Sequence, residues 1–459
     1  MSDAAKTLQS INPADGKPIA RYPALDDAAL AERLDAAADA APRWAGTPLA
    51  ERCALLTRVA ALLRERKAEL AAGMTREMGK LIGEAEAEAE KCAWVCEHYA
   101  EHAAVYLADE PIPTDASKSL VACRPLGTVL AVMPWNFPFW QLFRCAAPAL
   151  AAGNPVLLKH ASNVPGCALA IDALLGDAGA PDGVFATLLI GADRVEDVIA
   201  HPAVRAVSLT GSDAAGRKVA AAAGGALKKT VLELGGADAF VVLDDADLDL
   251  AAEVAVKSRF MNAGQSCIAA KRFIVVESVA ADFVQRLRAG IEALRTGDPM
   301  DRSTTLAPMA RADLRDTLHA QVQASVNAGA VPVMGGAPQD GPGFFYAPTL
   351  IDHVGPGMPA YADELFGPVA AVLRAVDEAD ALRIANDSRF GLGGSVWTRD
   401  SARGEAFARR MACGAAFVNG LVKSDPRLPF GGIGDSGYGR ELSRLGIREF
   451  VNEQTLWVR

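Results

Sequence analysis

The chain has 459 residues, of which 51% are hydrophobic and 22% are charged, and its formal net charge is −10. This is the composition of an ordinary globular protein, in a chain too long for one core, so we expect two or three domains. The acidic balance argues against a nucleic-acid backbone or an anionic membrane surface as the main partner. It favours a small-molecule ligand.

The first residues lack the basic and apolar regions of a secretory signal, and no stretch is long and apolar enough to span a bilayer. The eight cysteines are scattered, without the density of a disulfide framework or the spacing of paired zinc clips. We therefore expect a cytoplasmic protein with free thiols and no metal site. Cys92 and Cys96 lie one helical turn apart, and packing is the simplest explanation for them.

Residues 27 to 108 are rich in Ala, Leu, Glu and Arg at helical spacing. They predict several amphipathic helices. Within them, acidic residues alternate with alanine, and we interpret these residues as a solvated helix face: Glu84, Glu86, Glu88 and Glu90.

From about Leu120 onwards, short apolar segments alternate with helix-like stretches. The apolar segments are 127–133, 154–159, 184–190 and 204–210. This alternation predicts βαβ units and a parallel sheet.

A second α/β region follows Gly236. Its predicted strands are 239–243, 272–276 and 394–397, and its predicted helices are 247–262 and 376–388. The stretch 334–343 is rich in Gly and Pro and is interpreted as a surface loop.

Two features at the ends of predicted strands suggest a nucleotide site. Lys159 ends one strand and could lie at the carboxyl edge of the sheet, where dinucleotides bind, or could equally be a surface lysine. Gly211 permits a sharp turn into a helix whose N-terminus offers N–H groups to a phosphate. The spacing from Gly211 to Gly216 is not the usual Gly-x-Gly-x-x-Gly, so locally an ordinary strand-to-helix turn is the simpler explanation.

Cys267 lies in the run Asn262-Ala-Gly-Gln-Ser-Cys-Ile-Ala-Ala-Lys-Arg272, where small neighbours would let a substrate approach the thiol. Upstream, Glu233 offers a carboxylate that could activate the thiol or a water molecule. The pair indicates covalent catalysis through sulfur. An ordinary buried cysteine and a solvent-facing carboxylate remain the alternatives at this point.

Seven short segments stand along the chain: Pro134-Trp-Asn-Phe-Pro138, Lys159-His-Ala-Ser162, Leu209-Thr-Gly-Ser212, Leu232-Glu-Leu-Gly-Gly236, Gly264-Gln-Ser-Cys267, Glu364-Leu-Phe-Gly-Pro368 and Pro429-Phe-Gly-Gly432. In this order and at these separations they resemble the aldehyde dehydrogenase superfamily. The resemblance covers essentially the whole chain. Because the motifs support one another, the resemblance strengthens the interpretation of the nucleotide site and of the Cys267–Glu233 pair.

The resemblance implies an α/β fold with a Rossmann-type NAD(P)-binding domain, a catalytic α/β domain and a small β oligomerisation element. The cofactor domain would comprise residues 1–106 and 126–235, and the catalytic domain residues 236–446. The oligomerisation element would combine a hairpin in 107–125 with a C-terminal strand in 447–459. Family members form dimers or tetramers, so we expect a homodimer or homotetramer.

The resemblance also implies the chemistry. Cys267 matches the nucleophile that forms a thiohemiacetal with the aldehyde, while the Asn136 amide and the Cys267 N–H match the oxyanion hole. Hydride transfer to the nicotinamide would leave a thioester, and Glu233 matches the base that activates the hydrolytic water. The alternative for Asn136 is a side chain that stabilises its own turn.

Further positions match the family's cofactor contacts. Glu364 and Lys159 match the residues that hold the nicotinamide-side and the adenosine-side ribose hydroxyls, respectively. Phe366 would pack beside the nicotinamide ribose, and Ser212 would contact the pyrophosphate. Trp135 is expected to pack against the adjoining wall.

Ser162 stands where NAD-preferring relatives often carry a glutamate that binds the ribose 2′-hydroxyl. A serine removes the charge that would repel a 2′-phosphate, and His160 with Lys159 would add donors nearby. The resemblance therefore implies that NADP is accepted as well as NAD.

Arg144 falls where succinate-semialdehyde dehydrogenases carry a substrate-binding arginine, about two helical turns beyond Asn136. A guanidinium in an apolar tunnel suits a substrate carboxylate, for which Ser424 would be the second contact. The segments 421–432 and 267–272 also resemble shorter bacterial members of that group. The alternatives are an ion pair at a domain or subunit boundary for Arg144, and glutarate semialdehyde as a substrate.

We therefore expect oxidation of an aldehyde, foremost succinate semialdehyde, to its acid with NADP or NAD. The rival functions are a broad-range aldehyde dehydrogenase, an enzyme that passes the thioester to coenzyme A, a cysteine hydrolase and an inactive binding protein. Glu233 argues against transfer to coenzyme A, and none of the six histidines has a recognisable partner motif for Cys267. The presence of Cys267, Asn136 and Glu233 argues against an inactive protein.

Overall fold

Two large sheets organise the computed structural model, which describes residues 7–459. The strands are β1 (Thr7–Ile11), β2 (Pro18–Pro23), β3 (Glu110–Pro111), β4 (Lys118–Pro125), β5 (Thr128–Met133), β6 (Val156–His160), β7 (Phe185–Thr187), β8 (Val204–Thr210), β9 (Lys229–Glu233), β10 (Ala239–Val242), β11 (Arg272–Val276), β12 (Val331–Met334), β13 (Thr349–Asp352), β14 (Val369–Ala375), β15 (Phe390–Gly391), β16 (Gly393–Trp397), β17 (Ala415–Val418), β18 (Ile433–Gly434), β19 (Gly437–Tyr438) and β20 (Val451–Val458).

The helices are α1 (Asp27–Gly46), α2 (Leu49–Glu65), α3 (Lys67–Met78), α4 (Ile82–Tyr106), α5 (Trp140–Ala152), α6 (Pro165–Asp177), α7 (Val195–Ala200), α8 (Asp213–Gly225), α9 (Leu248–Phe260), α10 (Glu277–Glu292), α11 (Ala312–Asn327), α12 (Pro359–Ala362), α13 (Glu378–Asn386), α14 (Ser401–Ala408) and α15 (Ser443–Arg448). Two 3₁₀ turns accompany them, at Ala192–Arg194 and Met261–Gly264.

The first large sheet has the strand order β19-β9-β8-β5-β6-β7, and all its neighbours are parallel except β19 with β9. Helices α1 and α5 contact the central strand β5, and all of its residues after Thr128 are apolar, as is typical of a strand covered by helices. The predicted strands at 127–133, 154–159 and 204–210 are confirmed. The predicted strand at 184–190 ends early because the chain turns after Leu188, whose carbonyl accepts the Ile190 N–H.

The second large sheet has the order β12-β13-β14-β11-β10-β16-β17, with only β12 antiparallel to its neighbour. The predicted strands and helices of this region are confirmed, with small differences at their ends. Helix α9 ends at Phe260, before the predicted limit, because Asn262 and Ala263 adopt left-handed backbone angles. The predicted surface loop at 334–343 lies between β12 and β13.

The acidic run of α4 is not a uniformly solvated face, so that prediction is wrong for Glu84 and Glu88. The Glu88 carboxylate is buried, pairs with Lys80 and accepts the backbone N–H groups of Phe139 and Trp140. Glu84 accepts the backbone N–H of Asn262. Residues at i and i+4 share one helix face, and here that face packs against α5 and the 3₁₀ turn. Glu86 and Glu90, by contrast, pair with arginines near the surface.

A third sheet, antiparallel and in the order β20-β4-β3, contains the predicted hairpin and C-terminal strand. The strand β20 begins only at Val451, because residues 443–448 form α15. Its end leaves Trp457 half exposed. The hairpin of β1 and β2 was not predicted.

The eight cysteines are free thiols, and Cys92 and Cys96 are buried in the core, as packing residues would be. Among residues 7–459, no helix is both long enough and apolar enough to cross a bilayer.

Candidate active site

Cys267 lies between the 3₁₀ turn and β11, where two cavities meet. A larger cavity of about 440 Å³ is lined mainly by apolar side chains and also by Arg144 and Ser424. A smaller cavity of about 230 Å³ contains five of the predicted cofactor residues in its wall: Trp135, Gly211, Ser212, Glu364 and Phe366. A substrate in the first cavity and a cofactor in the second would therefore meet at the sulfur.

A left-handed backbone turn positions the nucleophile. Asn262 and Ala263 both have φ of 53°, and Gly264 has φ of 72°. Non-glycine residues pay roughly 1–2 kcal/mol for this conformation, so the surrounding structure must hold it. The buried Arg259 guanidinium donates to Gly264 O at 3.1 Å and to Leu365 O at 2.9 Å. It thereby fastens the turn to the loop that carries Glu364 and Phe366.

Lys271 makes a second link between these loops. Its buried ammonium donates to Cys267 O at 2.7 Å and to Ser266 O at 2.9 Å, and it lies 3.0 Å from Glu364 Oε1. Sequence reasoning missed both Arg259 and Lys271. Nothing in the local sequence distinguishes a buried lysine or arginine from a solvated one.

Two N–H groups near Cys267 suit an oxyanion. The Asn136 amide donates to Gln265 O at 3.0 Å, which uses one of its two hydrogens. The Asn136 side chain therefore joins its loop to the nucleophile loop, which is a different contact from the expected alternative of stabilising its own turn. Within residues 7–459, no hydrogen bond uses the backbone N–H of Cys267.

Glu233 ends β9 with only 1% of its surface exposed, so the solvent-facing alternative is wrong. Burial raises the pKa of its carboxyl to about 8, against the lowering effect of Arg144 and with the raising effect of Glu441. In the described part of the chain, neither carboxylate oxygen accepts a hydrogen bond. A carboxyl that titrates near neutral pH is suited to proton transfer.

Burial also raises the pKa of the Cys267 thiol to about 12, although nearby Arg144 lowers it. The resting thiol is therefore protonated at neutral pH. Attack by sulfur requires a group that removes this proton.

Arg144 projects from α5 and is buried at the base of the larger cavity. It forms an ion pair with Glu441, and its Nη2 lies 3.7 Å from Glu233 Oε2 and 3.3 Å from Thr210 Oγ1. Arg144 therefore lies in the cavity wall, as predicted, and it also forms an ion pair, which was the alternative interpretation. Sequence reasoning missed Glu441, which lies almost three hundred residues from Arg144 along the chain.

Ser424 is buried in the wall of the larger cavity. Its hydroxyl oxygen accepts a hydrogen bond from Lys91 Nζ at 2.8 Å. Lys91 belongs to α4 and was not predicted as a site residue. No motif surrounds it, so only the tertiary contact reveals its position.

The smaller cavity has features that fit a dinucleotide. Ser212 caps α8, whose N-terminal N–H groups can hold a phosphate, and Gly211 makes the turn into that helix. Glu364 offers a carboxylate for ribose hydroxyls, and Oε1 accepts the Gly236 N–H at 3.1 Å. The Trp135 and Phe366 rings meet edge to face at 5.8 Å.

Lys159 and Ser162 lie further along the same sheet edge and do not line the smaller cavity. Lys159 is buried, so the surface-lysine alternative is wrong, and burial lowers its pKa. Ser162 is exposed in the turn after β6. The expectation for His160 is wrong, because it points inward. Its Nε2 hydrogen-bonds to Pro138 O at 2.9 Å and its Nδ1 accepts the Ala161 N–H, leaving no donor for a phosphate.

Residues 1–456 match the aldehyde dehydrogenase family, and this chain therefore belongs to that family. A "Probable succinate-semialdehyde dehydrogenase [NADP(+)]" of Synechocystis is 51% identical over 451 residues, which are 98% of this chain and 99% of that protein. A succinate semialdehyde dehydrogenase [NAD(P)+] of Escherichia coli is 46% identical over 448 residues, covering 98% and 97% of the two chains.

Solved structures agree in fold. The succinic semialdehyde dehydrogenase of Streptococcus pyogenes, solved in complex with NADP+ as the cofactor, superposes with a TM-score of 0.96 at 40% identity. The match covers 98% of this chain and 99% of that one.

Proposed function

We propose that this enzyme oxidises succinate semialdehyde to succinate with NADP or NAD. The observation that carries the proposal is the junction of the two cavities at Cys267, with cationic and hydroxyl groups in the wall of the larger one. A carboxylate at the far end of the substrate would be complementary to that wall. The names of the relatives support the same substrate.

In the proposed mechanism, Glu233 accepts the thiol proton while Cys267 Sγ bonds to the aldehyde carbon. The Asn136 amide and the Cys267 N–H donate to the oxygen, which becomes negative. The bound nicotinamide supplies the hydride acceptor. When the carbon–oxygen double bond re-forms, hydride leaves the carbon, and an acyl group remains on sulfur.

Hydrolysis then frees the enzyme. Glu233 first releases the thiol proton to solvent and then accepts a proton from water as the water oxygen bonds to the thioester carbon. The acid is released as the carbon–sulfur bond breaks, and Glu233 returns its proton to sulfur. Burial, with the opposing effects of Arg144 and Glu441, gives the Glu233 carboxyl a pKa at which it can serve in both steps.

For the cofactor, we propose that Trp135, Gly211, Ser212, Glu364 and Phe366 hold its nicotinamide half, and Lys159 and Ser162 its adenosine half. The N-terminal segment 1–106 with 126–235 would form the cofactor domain, and 236–446 the catalytic domain. We also propose a cytoplasmic homodimer or homotetramer built through 107–125 and 447–459. The free thiols support that compartment.

Initial rates with succinate semialdehyde, glutarate semialdehyde and butanal, each with NADP and NAD, test the proposal. We expect kcat/KM to be highest for succinate semialdehyde, with a smaller loss for glutarate semialdehyde because one methylene discriminates by about 1–3 kcal/mol. Equal values for butanal would instead identify a broad-range enzyme. If acyl-coenzyme A formed in place of succinate when coenzyme A is added, the proposed hydrolysis of the thioester would be wrong.

Ser162→Glu tests the cofactor assignment. A carboxylate at this position would repel the 2′-phosphate, so we expect kcat/KM with NADP to fall at least tenfold relative to that with NAD. The measurement is the ratio of the two kcat/KM values at fixed ionic strength. An unchanged ratio would remove Ser162 from the cofactor site.

A further inference from the structure

Lys91 lies in the wall of the larger cavity, on a turn of α4 that faces α5. Its ammonium is 2.8 Å from Ser424 Oγ and 4.2 Å from the centre of the Trp140 ring. Within residues 7–459, no carboxylate lies within ion-pair distance of Lys91. The side chain is half-buried and forms no ion pair, although Glu88 and Asp425 act on its charge from a longer distance.

The other ionisable groups inside this cavity have partners, except for Glu84 Oε2, which accepts no hydrogen bond in the described part of the chain. Arg144 pairs with Glu441 and lies beside Glu233. Glu88 pairs with Lys80, and Glu84 accepts a backbone N–H while burial raises the pKa of its carboxyl. Lys91 is therefore the cation of the inner wall that forms no ion pair, whereas Arg144 is paired with Glu441.

The rim of the cavity also carries lysines, but they differ in environment. Lys257 and Lys423 are exposed to solvent, which screens their charge. Lys91 is removed from water enough that burial, with a smaller effect of Arg144, lowers its pKa to about 8. A half-buried cation whose partners are a hydroxyl and an aromatic ring is stabilised when an anion binds beside it.

Ser424 adds a second donor. Its oxygen accepts the hydrogen bond from Lys91, and its own hydroxyl hydrogen has no acceptor in the described part of the chain. The ammonium and the hydroxyl can therefore both donate to one carboxylate. Such charge-assisted bonds are stronger than neutral ones.

We propose that Lys91 is a specificity-determining residue that, together with Ser424, binds the far carboxylate of the substrate. This inference rests on the proposed function and assigns its substrate preference to one side chain. It predicts that charge at position 91, more than charge at the cavity rim, decides between anionic and neutral aldehydes.

The test compares Lys91→Met with Lys257→Met, which removes the same charge from the rim. For Lys91→Met we expect kcat/KM with succinate semialdehyde to fall about 10- to 100-fold, mostly through KM, because a bond to a charged group is lost. With butanal it should stay within about threefold of wild type. Lys257→Met should stay within about threefold for both aldehydes.

Lys91→Arg provides the conservative variant, because it keeps the charge and can still donate to a carboxylate. Recovery of most of the preference for succinate semialdehyde in this variant would support the proposal. An equal loss with both aldehydes in Lys91→Met would indicate a merely structural role and overturn it. So would a retained preference in Lys91→Met. A wild-type enzyme without any preference for succinate semialdehyde over butanal would overturn the proposed function itself.

Discussion

Glu233 acquires its properties from residues that are distant in sequence. Burial at the end of β9 makes its charged form costly, Arg144 from α5 favours that form, and Glu441 near α15 opposes it. The outcome is a carboxyl with a pKa of about 8. Such a group is protonated in most of the enzyme population at neutral pH, and its ionised fraction can accept a proton from the thiol or from water.

The pH dependence of the reaction follows from this value. The base must be ionised, and the ionised fraction grows as pH rises through about 8, so kcat with butanal should rise through this pH and level off above it. Glu233→Gln should lower kcat at least 100-fold and abolish that rise. Glu86→Gln, at a surface ion pair, is the matched control and should change neither. The same rise in Glu233→Gln would contradict the assignment.

Glu441→Gln should move the rise in kcat to lower pH. Removing Glu441 takes away a negative charge that raises the pKa of Glu233 and leaves Arg144 to stabilise the Glu233 carboxylate. We expect a shift of roughly one pH unit in the kcat profile with butanal, an aldehyde without a carboxylate. A shift to higher pH would show that Glu441 acts on the reaction in some other way.

At the scale of elements, the nucleophile loop depends on close contact between two backbone segments. Gly264 has φ of 72°, and a Cβ added there would lie 2.3 Å from Gly367 O. Arg259 bridges the same segments by hydrogen bonds to Gly264 O and Leu365 O. The loop that carries Cys267 and the loop that carries Glu364 are therefore held together, and a change in one should displace the other.

Gly264→Ala should disrupt the contact between these two loops. We expect at least a tenfold fall in kcat and a lower Tm, because the left-handed conformation alone costs alanine about 1–2 kcal/mol and the Cβ displaces the neighbouring carbonyl. Gly73→Ala is the control, since this glycine lies within α3 with nothing within 4 Å of an added Cβ. It should leave kcat unchanged and stabilise the protein by about 0.5–1 kcal/mol. A Gly264→Ala enzyme with wild-type kcat would contradict the close-contact argument.

At the scale of the whole molecule, the three-stranded sheet presents an apolar edge. Leu456, Trp457 and Val458 near the end of β20 are 36%, 51% and 44% exposed, respectively, although they lie in a regular strand. Leu456 and Val458 face one side of the sheet and Trp457 the other, and an edge strand with exposed apolar residues and unpaired backbone groups can pair with another chain. This surface supports the proposed oligomer.

Trp457→Glu should therefore lower the oligomeric fraction of the protein, because association would bury an unpaired carboxylate. Light scattering coupled to size-exclusion chromatography would show a smaller mass than that of wild type. Val331→Glu is the control, since it adds the same charge at a half-exposed position on β12. Identical masses for wild type and Trp457→Glu would exclude this surface as an essential contact.

The sequence alone determined the α/β fold class, four of the six strands of the first large sheet, three of the seven strands of the second, and the family. Apolar runs such as 204–210 predict buried parallel strands because both faces of such a strand are covered. Seven short motifs sufficed for the family, since each retains its residues and order along the chain. These features depend on local sequence and spacing, so they can be predicted without knowledge of the tertiary contacts.

Only the tertiary structure decided which charged side chains face inward. The α4 acidic run reads as one polar face, yet packing against α5 buries Glu88 and leaves Glu86 near the surface. Lys91 meets Ser424 across 333 residues of chain, so no local pattern could indicate their contact. The physical reason is that the pKa and partner of an ionisable group depend on burial and on the charges brought to it by folding, and neither is encoded in its sequence neighbours.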